Sequence, residues 1–352
     1  MRTVLFIPPL PRMSGGIAVL YQLANRLREL GHDCRFATTN PDAPGLAEQR
    51  EKGFAVLPLP TSGNGAGTPF PGMGPEDAYV VPEGWPNALA PGLKASMRCL
   101  VYVQNWAYLL PALPENVRWA SLPVSFLAVS QPVAWFLKDV LHLPVAGIVR
   151  PALDRERYIP GDKSGKTIRI AWMPRKNKAL GEQIRGIAEA ALFSAQGAGN
   201  ETLPPLEWLP LHRMSATEVA EGLGRSHIFL ATGFPEGFGL PALEAMACGC
   251  LPVGFSGFGG WDYMREARSI HQAVCSPAQL PLRETIWPGN GFYATDGDVL
   301  GAALALKEAV TLFAHNDHFL ETILSAGRVT ADSYSPTAQR EEVRTVWTQL
   351  LP

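Results

Sequence analysis

Short, largely apolar runs separated by amphipathic stretches set the rhythm of this chain. Residues 4–7, 34–37, 100–106, 127–130, 145–149, 168–173, 206–211, 228–231 and 251–255 are such runs. They are too short for helices and lack strict polar alternation, as expected of parallel strands covered on both faces. Between the first two, apolar positions 17, 20, 23, 24, 27 and 30 keep a helical period, and Gly31 stops that helix. Ser215 with Glu218 forms a capping box that opens a short helix at 215–223. Ser130 before Pro132 reads as an N-cap followed by the first helical residue. A last amphipathic helix covers 337–351. Strands alternating with helices predict an α/β protein built on parallel sheets.

The breaks between these elements carry the candidate chemistry. Residues 8–16, Pro-Pro-Leu-Pro-Arg-Met-Ser-Gly-Gly, read as a loop stiffened by prolines and opened by Gly15 and Gly16. From 58 to 92 the chain is dense in Gly and Pro, a composition typical of functional loops. The run 100–106 ends in Gln104 and Asn105, polar groups at the strand edge where α/β sheets bind ligands. They serve there either as partners for hydroxyl groups or as plain strand caps. The polar segment 161–166 reads as a linker. Beyond 168–173 come Arg175, Lys176 and Lys178, a fork and two point charges suited to phosphate.

The densest signal is 228–249, where Ile-Phe-Leu-Ala runs into Thr-Gly-Phe-Pro-Glu-Gly-Phe-Gly-Leu-Pro-Ala-Leu-Glu-Ala-Met-Ala-Cys-Gly. A buried strand ends here in a glycine-rich turn, Pro241 suits a first helical position, and Gly249 closes the helix as a left-handed cap. Gly237 and Gly239 then place backbone N–H groups at a helix N-terminus, an anion site. Glu244 sits in a helix that is otherwise Ala, Leu, Met and Cys, so a polar group must meet it. An acid beside an anion cradle suits the ribose and diphosphate of a nucleotide. Gly237, Gly239 and Ala242 also fit a dinucleotide fingerprint, but Pro241 interrupts it and Gly249 ends the helix early.

The stretch Glu-Gly-Phe-Gly-Leu-Pro-Ala-Leu-Glu-Ala-Met-Ala-Cys-Gly is similar to the donor-site signature of retaining GT-B glycosyltransferases, family 4 in particular. The resemblance implies two Rossmann-like parallel-sheet domains facing a central cleft. It implies an N-terminal acceptor domain at 1–160, a donor domain at 161–334, and a C-terminal helix at 335–352 crossing back to the first. It also implies transfer of a sugar from a nucleotide-diphosphate sugar to an acceptor hydroxyl, with retention and without a metal or other cofactor. Arg175, Lys176 and Glu236 would be catalytic, the cations on the leaving diphosphate and Glu236 on the donor sugar. Gly15, Gly16, Gly237, Phe238, Gly239, Leu240 and Glu244 would bind the donor, with Glu244 on the ribose. Lys178 is the alternative to Lys176.

Family members often carry a His near the strand that ends in Gln104 and Asn105, so no imidazole role transfers. Residues 150–160, with Asp154 and Tyr158-Ile-Pro160, resemble the family's interdomain crossing, where Phe-x-Pro is usual and the Asp makes a turn. A nucleotide-sugar epimerase of the same fold would want acid–base residues that the sequence does not offer. A non-catalytic nucleotide-sugar-binding partner protein would not need the Glu pair and cations.

Composition narrows the picture further. A chain of 352 residues, 47% hydrophobic, suffices for two cores. The formal net charge of -2 gives no ground for nucleic-acid binding. Five cysteines, an odd number in mostly apolar settings, read as reduced thiols, and Cys248-x-Cys250 lacks a second pair at zinc spacing. Asp296 and Asp298 read as a turn capping the next helix, and His315 with His318 as one helical face without a third ligand. No run of about 18 apolar residues predicts a transmembrane span, and no leader is legible at the start. The expectation is a cytoplasmic protein, with peripheral membrane contact left open by lipid-linked acceptors among relatives.

Overall fold

A computed structural model describes residues 1–60, 70–197, 203–268 and 288–350. The chain divides into two compact units, Met1–Ala152 with Pro336–Pro352, and Leu153–Ser335.

The first unit is built on a seven-stranded sheet. Its strands are β1 (Arg2–Phe6), β2 (Asp33–Thr38), β3 (Val56–Pro58), β4 (Ala78–Pro82), β5 (Arg98–Val103), β6 (Val124–Ala128) and β7 (Val145–Ile148). They run in the order β3-β2-β1-β4-β5-β6-β7, and all neighbours are parallel. Every residue of β4 is buried, which is why these runs show no polar alternation. The helix after β1 spans Gly15–Glu29, with Ser14 as N-cap accepting from the Ile17 N–H at 3.2 Å. Gly15 and Gly16 are therefore the first turn of that helix, not the end of the expected loop.

The last helix, Pro336–Leu350, belongs to this unit. It buries Val343, Val346 and Trp347, whose Nε1 donates to Thr3 Oγ1 at 3.0 Å. Gly147 permits the approach, because a Cβ there would lie 2.4 Å from Val346 Cγ2. Arg150 closes the contact with an ion pair to Glu342 at 2.6 Å.

The second unit holds a five-stranded sheet of β8 (Ile168–Trp172), β9 (Leu206–Pro210), β10 (Ile228–Ala231), β11 (Leu251–Phe255) and β12 (Phe292–Ala294). The order is β12-β11-β10-β8-β9, again all parallel. Ile170, Ile228, Leu230, Leu251 and Val253 meet Ile184, Ala302 and Leu306 in one apolar core. Helices Lys178–Gly197 and Val299–His315 supply the latter set.

Several local expectations hold. Ser215 and Glu218 make both bonds of the capping box, at 3.3 and 2.7 Å. Ser130 caps Gln131–Trp135. Gly249 takes φ +69 at the end of Leu240–Ala247, with the Cys250 N–H returning to the Ala245 carbonyl. Asp298 caps the 299–315 helix by accepting from the Gly301 N–H, and Asp296 accepts from the Gly257 N–H.

Others do not hold. His315 ends one helix and His318 begins another, because Asn316 between them is left-handed at φ +48, so the two do not share a helical face. The division at Ala152 precedes the polar 161–166 segment, which is fastened into the second unit. There the Gly161 N–H donates to the Gly224 carbonyl at 3.0 Å and Lys163 Nζ to the Gly249 carbonyl at 2.7 Å.

Candidate functional site

In the second unit the chain goes from β8 outward to β9 and then returns to place β10 on the other side of β8. Loops leaving β8 and β10 therefore diverge, and this switch point is where open α/β sheets bind ligands. An open recess lies here, lined by Arg175, Lys176, Thr232, Glu236, Gly239 and Pro241.

The loop after β8 is held in place by Asn177. It adopts φ +55, a conformation that Asn tolerates better than most residues. Its Nδ2 donates to the carbonyls of Thr232 and Phe234 at 2.8 and 3.0 Å. Thr232 Oγ1 returns a bond to the Lys176 carbonyl at 3.3 Å. The cation loop and the glycine-rich loop are thereby one framework.

Within that framework Lys176 Nζ pairs with Glu236 Oε1 at 2.7 Å, the side chains being 25% and 22% exposed. An ion pair this accessible is worth little to stability, so both groups can be redirected to a ligand at small cost. Arg175 is exposed at the rim, and Lys176 rather than Lys178 lines the recess. The backbone of Glu236 is fixed separately, its N–H donating to the Gly257 carbonyl at 2.9 Å and its carbonyl accepting from the Gly259 N–H.

The glycines differ in what they offer. Gly239 is left-handed at φ +84, caps Leu240–Ala247 and faces the recess. Its carbonyl accepts from the Tyr263 hydroxyl at 2.6 Å. Gly237 is buried instead, with Gly259 packed so closely that a Cβ there would lie 2.0 Å from the Gly237 carbonyl group. Phe238 turns into the protein, against the rings of Tyr263 and Tyr334. Of the two glycines expected to form a cradle, Gly239 is the one that lines the recess, with Leu240 as the first helical residue.

Glu244 lies one turn further along the helix and does not line the recess. Its surface is partly exposed, yet enough protein surrounds it that burial pushes its acid up to about 7. Tyr158 and the Arg157 charge oppose that push and favour the carboxylate. The sequence asked for a polar group near Glu244 without identifying these two.

The remaining candidates lie in the first unit. Gly16 sits against Gln104, where a Cβ would meet Oε1 at 2.9 Å. Asn105 Oδ1 accepts from the Ala107 N–H and caps a short helix, the plainer of its two expected roles. Glu83, at the end of β4, is buried beside them. Its two oxygens accept from the Gln104 and Asn105 N–H groups at 3.1 and 2.8 Å.

Two α/β units, each built on a parallel sheet, give the chain a GT-B fold. Structural comparison agrees. A glycosyltransferase from Rickettsia africae superposes with a TM-score of 0.67 at 12% identity, covering 99% of this chain and 98% of the other. A sucrose-phosphate synthase from Thermosynechococcus elongatus gives 0.66 at 11% identity, covering 99% of each.

The sequence of the second unit points the same way. Residues 210–278 match the family described as glycosyl transferases group 1. That segment carries Glu236, Gly239 and Glu244, and it extends beyond the described residues. An alpha-1,6-glucosyltransferase from Actinobacillus pleuropneumoniae serotype 7 (strain AP76) is 29% identical over 111 residues. The match spans 32% of this chain and about a third, 31%, of that relative.

Proposed function

We propose that this chain is a metal-independent, retaining glycosyltransferase that uses a nucleotide-diphosphate sugar. The observation that carries the reading is the convergence of Arg175, Lys176, Glu236 and Gly239 on one recess at the switch point. Two cations beside a helix N-terminus suit a diphosphate, whose charge grows as the sugar leaves. Glu236, released from Lys176 when phosphate takes the ammonium, would accept from hydroxyls of the donor sugar. Glu244 would accept from the ribose.

In the reaction the bond between anomeric carbon and diphosphate oxygen breaks, and a bond to the acceptor oxygen forms on the same face. The acceptor's proton passes to the departing diphosphate, so no side chain need act as base. Arg175 and Lys176 supply the counter-charge that a divalent cation would otherwise bring. The acceptor is a hydroxyl compound, and a cytoplasmic setting goes with four thiols that are free and buried among the described residues. No helix among those residues is long and apolar enough to cross a membrane.

The test is thermal stabilisation by UDP, GDP and ADP, with Arg175→Ala and Glu244→Ala beside the wild type. Saturation at about 100 times the dissociation constant adds roughly 2.7 kcal/mol. One diphosphate should raise the wild-type melting point, and the folded variants should lose the response. Turnover should release that diphosphate and persist in EDTA. A well-folded wild type that ignores all three would sink the reading.

A further inference from the structure

An anion cradle at Gly239 depends on the direction of one peptide. Leu240, as the first helical residue, has no intrahelical acceptor for its N–H. That N–H belongs to the Gly239–Leu240 peptide, which is planar and trans, so it points opposite to the Gly239 carbonyl. The carbonyl is turned towards the interior, where the wholly buried Tyr263 donates its hydroxyl to it at 2.6 Å. The Ala242 N–H reaches the same oxygen at the longer distance of 3.2 Å. Gly239, Pro241 and Ala242, the residues around the Leu240 N–H, line the recess, whereas Tyr263 stands behind them.

We propose that Tyr263 is a positioning residue for the diphosphate: its hydroxyl holds the Gly239 carbonyl inward and so keeps the Leu240 N–H presented to the recess. The proposal rests on the donor-site reading above. A glycine needs such a pin. Gly239 is left-handed at φ +84, and without a Cβ its peptide can turn at little cost. A turned peptide would aim a carbonyl oxygen, with its partial negative charge, at the place the phosphate must occupy. The bond from Tyr263 opposes that turn, and packing alone would not call for it, because a phenyl ring fills the same volume.

The pin is itself held firmly. The Tyr263 ring meets those of Phe238 and Tyr334, with centroids 5.3 and 5.7 Å away. Asn290, buried outright, donates from Nδ2 to the Tyr263 carbonyl at 2.8 Å, and the Tyr263 N–H donates to the Gly260 carbonyl at 3.0 Å. Burial, with the charges of Glu236 and Glu244 adding to it, raises the Tyr263 hydroxyl well above its ordinary value, so it stays a donor. Tyr334 offers a matched comparison within the same cluster. Its hydroxyl donates to Asp262 Oδ2 at 2.7 Å, so removing it disturbs the cluster and leaves the bond on Gly239 in place.

The experiment is calorimetric binding of UDP, GDP and ADP to wild type, Tyr263→Phe and Tyr334→Phe, with melting points as a check on folding. Amide hydrogen exchange over peptides covering 237–243 and 174–178 is followed with and without the nucleotide that binds. Tyr263→Phe should weaken that nucleotide about tenfold, the scale of a hydrogen bond to a charged group. It should also lose the protection at 237–243 while keeping that at 174–178. Tyr334→Phe should melt lower yet keep wild-type affinity and both protections. Equal losses of affinity in the two variants, or wild-type affinity in Tyr263→Phe, would overturn the proposal and leave the donor site standing. So would a wild type in which bound nucleotide protects 174–178 and not 237–243, a result that needs no variant. If the wild type binds none of the three, the donor-site reading falls and takes this proposal with it.

Discussion

Each unit carries an acid pushed up by its surroundings, Glu83 buried outright and Glu244 partly exposed, and the two have different neighbours. Glu83 and Glu244 are both pushed up to about 7 by burial. Glu83 places each oxygen on a backbone N–H, those of Gln104 and Asn105, and so pins the turn that follows β5. For Glu244 the groups that oppose the push of burial are side chains, Tyr158 and the Arg157 charge. The first acid is saturated by groups that cannot leave. A raised pKa alone therefore does not mark a binding candidate; the donors around the acid must be read as well.

The recess sharpens this contrast most. Lys176→Ala should cut turnover about 100-fold to 1000-fold, as loss of one charge-stabilising donor does, yet barely change the melting point. Steady-state kinetics beside calorimetry checks both halves, and a large loss of stability would break the comparison. Glu83→Ala should do the reverse. It strands two backbone donors and should cost roughly 3 kcal/mol in urea unfolding, with nucleotide affinity unchanged in the folded protein.

The pH dependence comes next in size. An acid raised from 4.5 to about 7 holds its proton in the folded state after the unfolded chain has released it. Stability from Glu83 is thus greatest below 4.5, falls as pH rises to about 7, and is level beyond, a change on the order of 3 kcal/mol. Glu83→Gln should flatten that part of the melting-point profile without touching nucleotide affinity. Glu244→Gln should flatten its own share and weaken the nucleotide as well. The smallest effect expected is Asn177→Ala. Losing its two bonds to the glycine-rich loop should cost roughly 2 kcal/mol, and kcat should fall more than the stability loss explains, because Lys176 loses its fixed base.

Much of this architecture was legible in the chain. Apolar runs flanked by glycine and proline located β1, β2, β8, β10 and β11, since strands buried on both faces must be apolar throughout. Caps were legible because Ser215, Ser130 and Gly249 act through neighbours in sequence. The three-residue edge strands β3 and β12 were not, because so short a ladder is imposed by the adjacent strand. Of the site, residue types were legible and pairings were not. Lys176 and Glu236 were both candidates, but their mutual bond is made by the fold. Asn177 passed as a neighbour of the cations until its left-handed backbone and two carbonyl partners explained it. At Gly237 the sequence did not show the close packing of Gly259 against its carbonyl group.

The entry and exit of the second unit lie side by side, with the Leu153 N–H on the Tyr334 carbonyl at 2.7 Å. Because Pro336–Leu350 is stitched onto the first unit, the second is a cassette inserted into a host whose own chain resumes after it. A cassette with adjoining ends can be exchanged without rethreading the host. Expression of residues 153–335 alone, read as a single cooperative melting transition, would show whether that autonomy extends to folding.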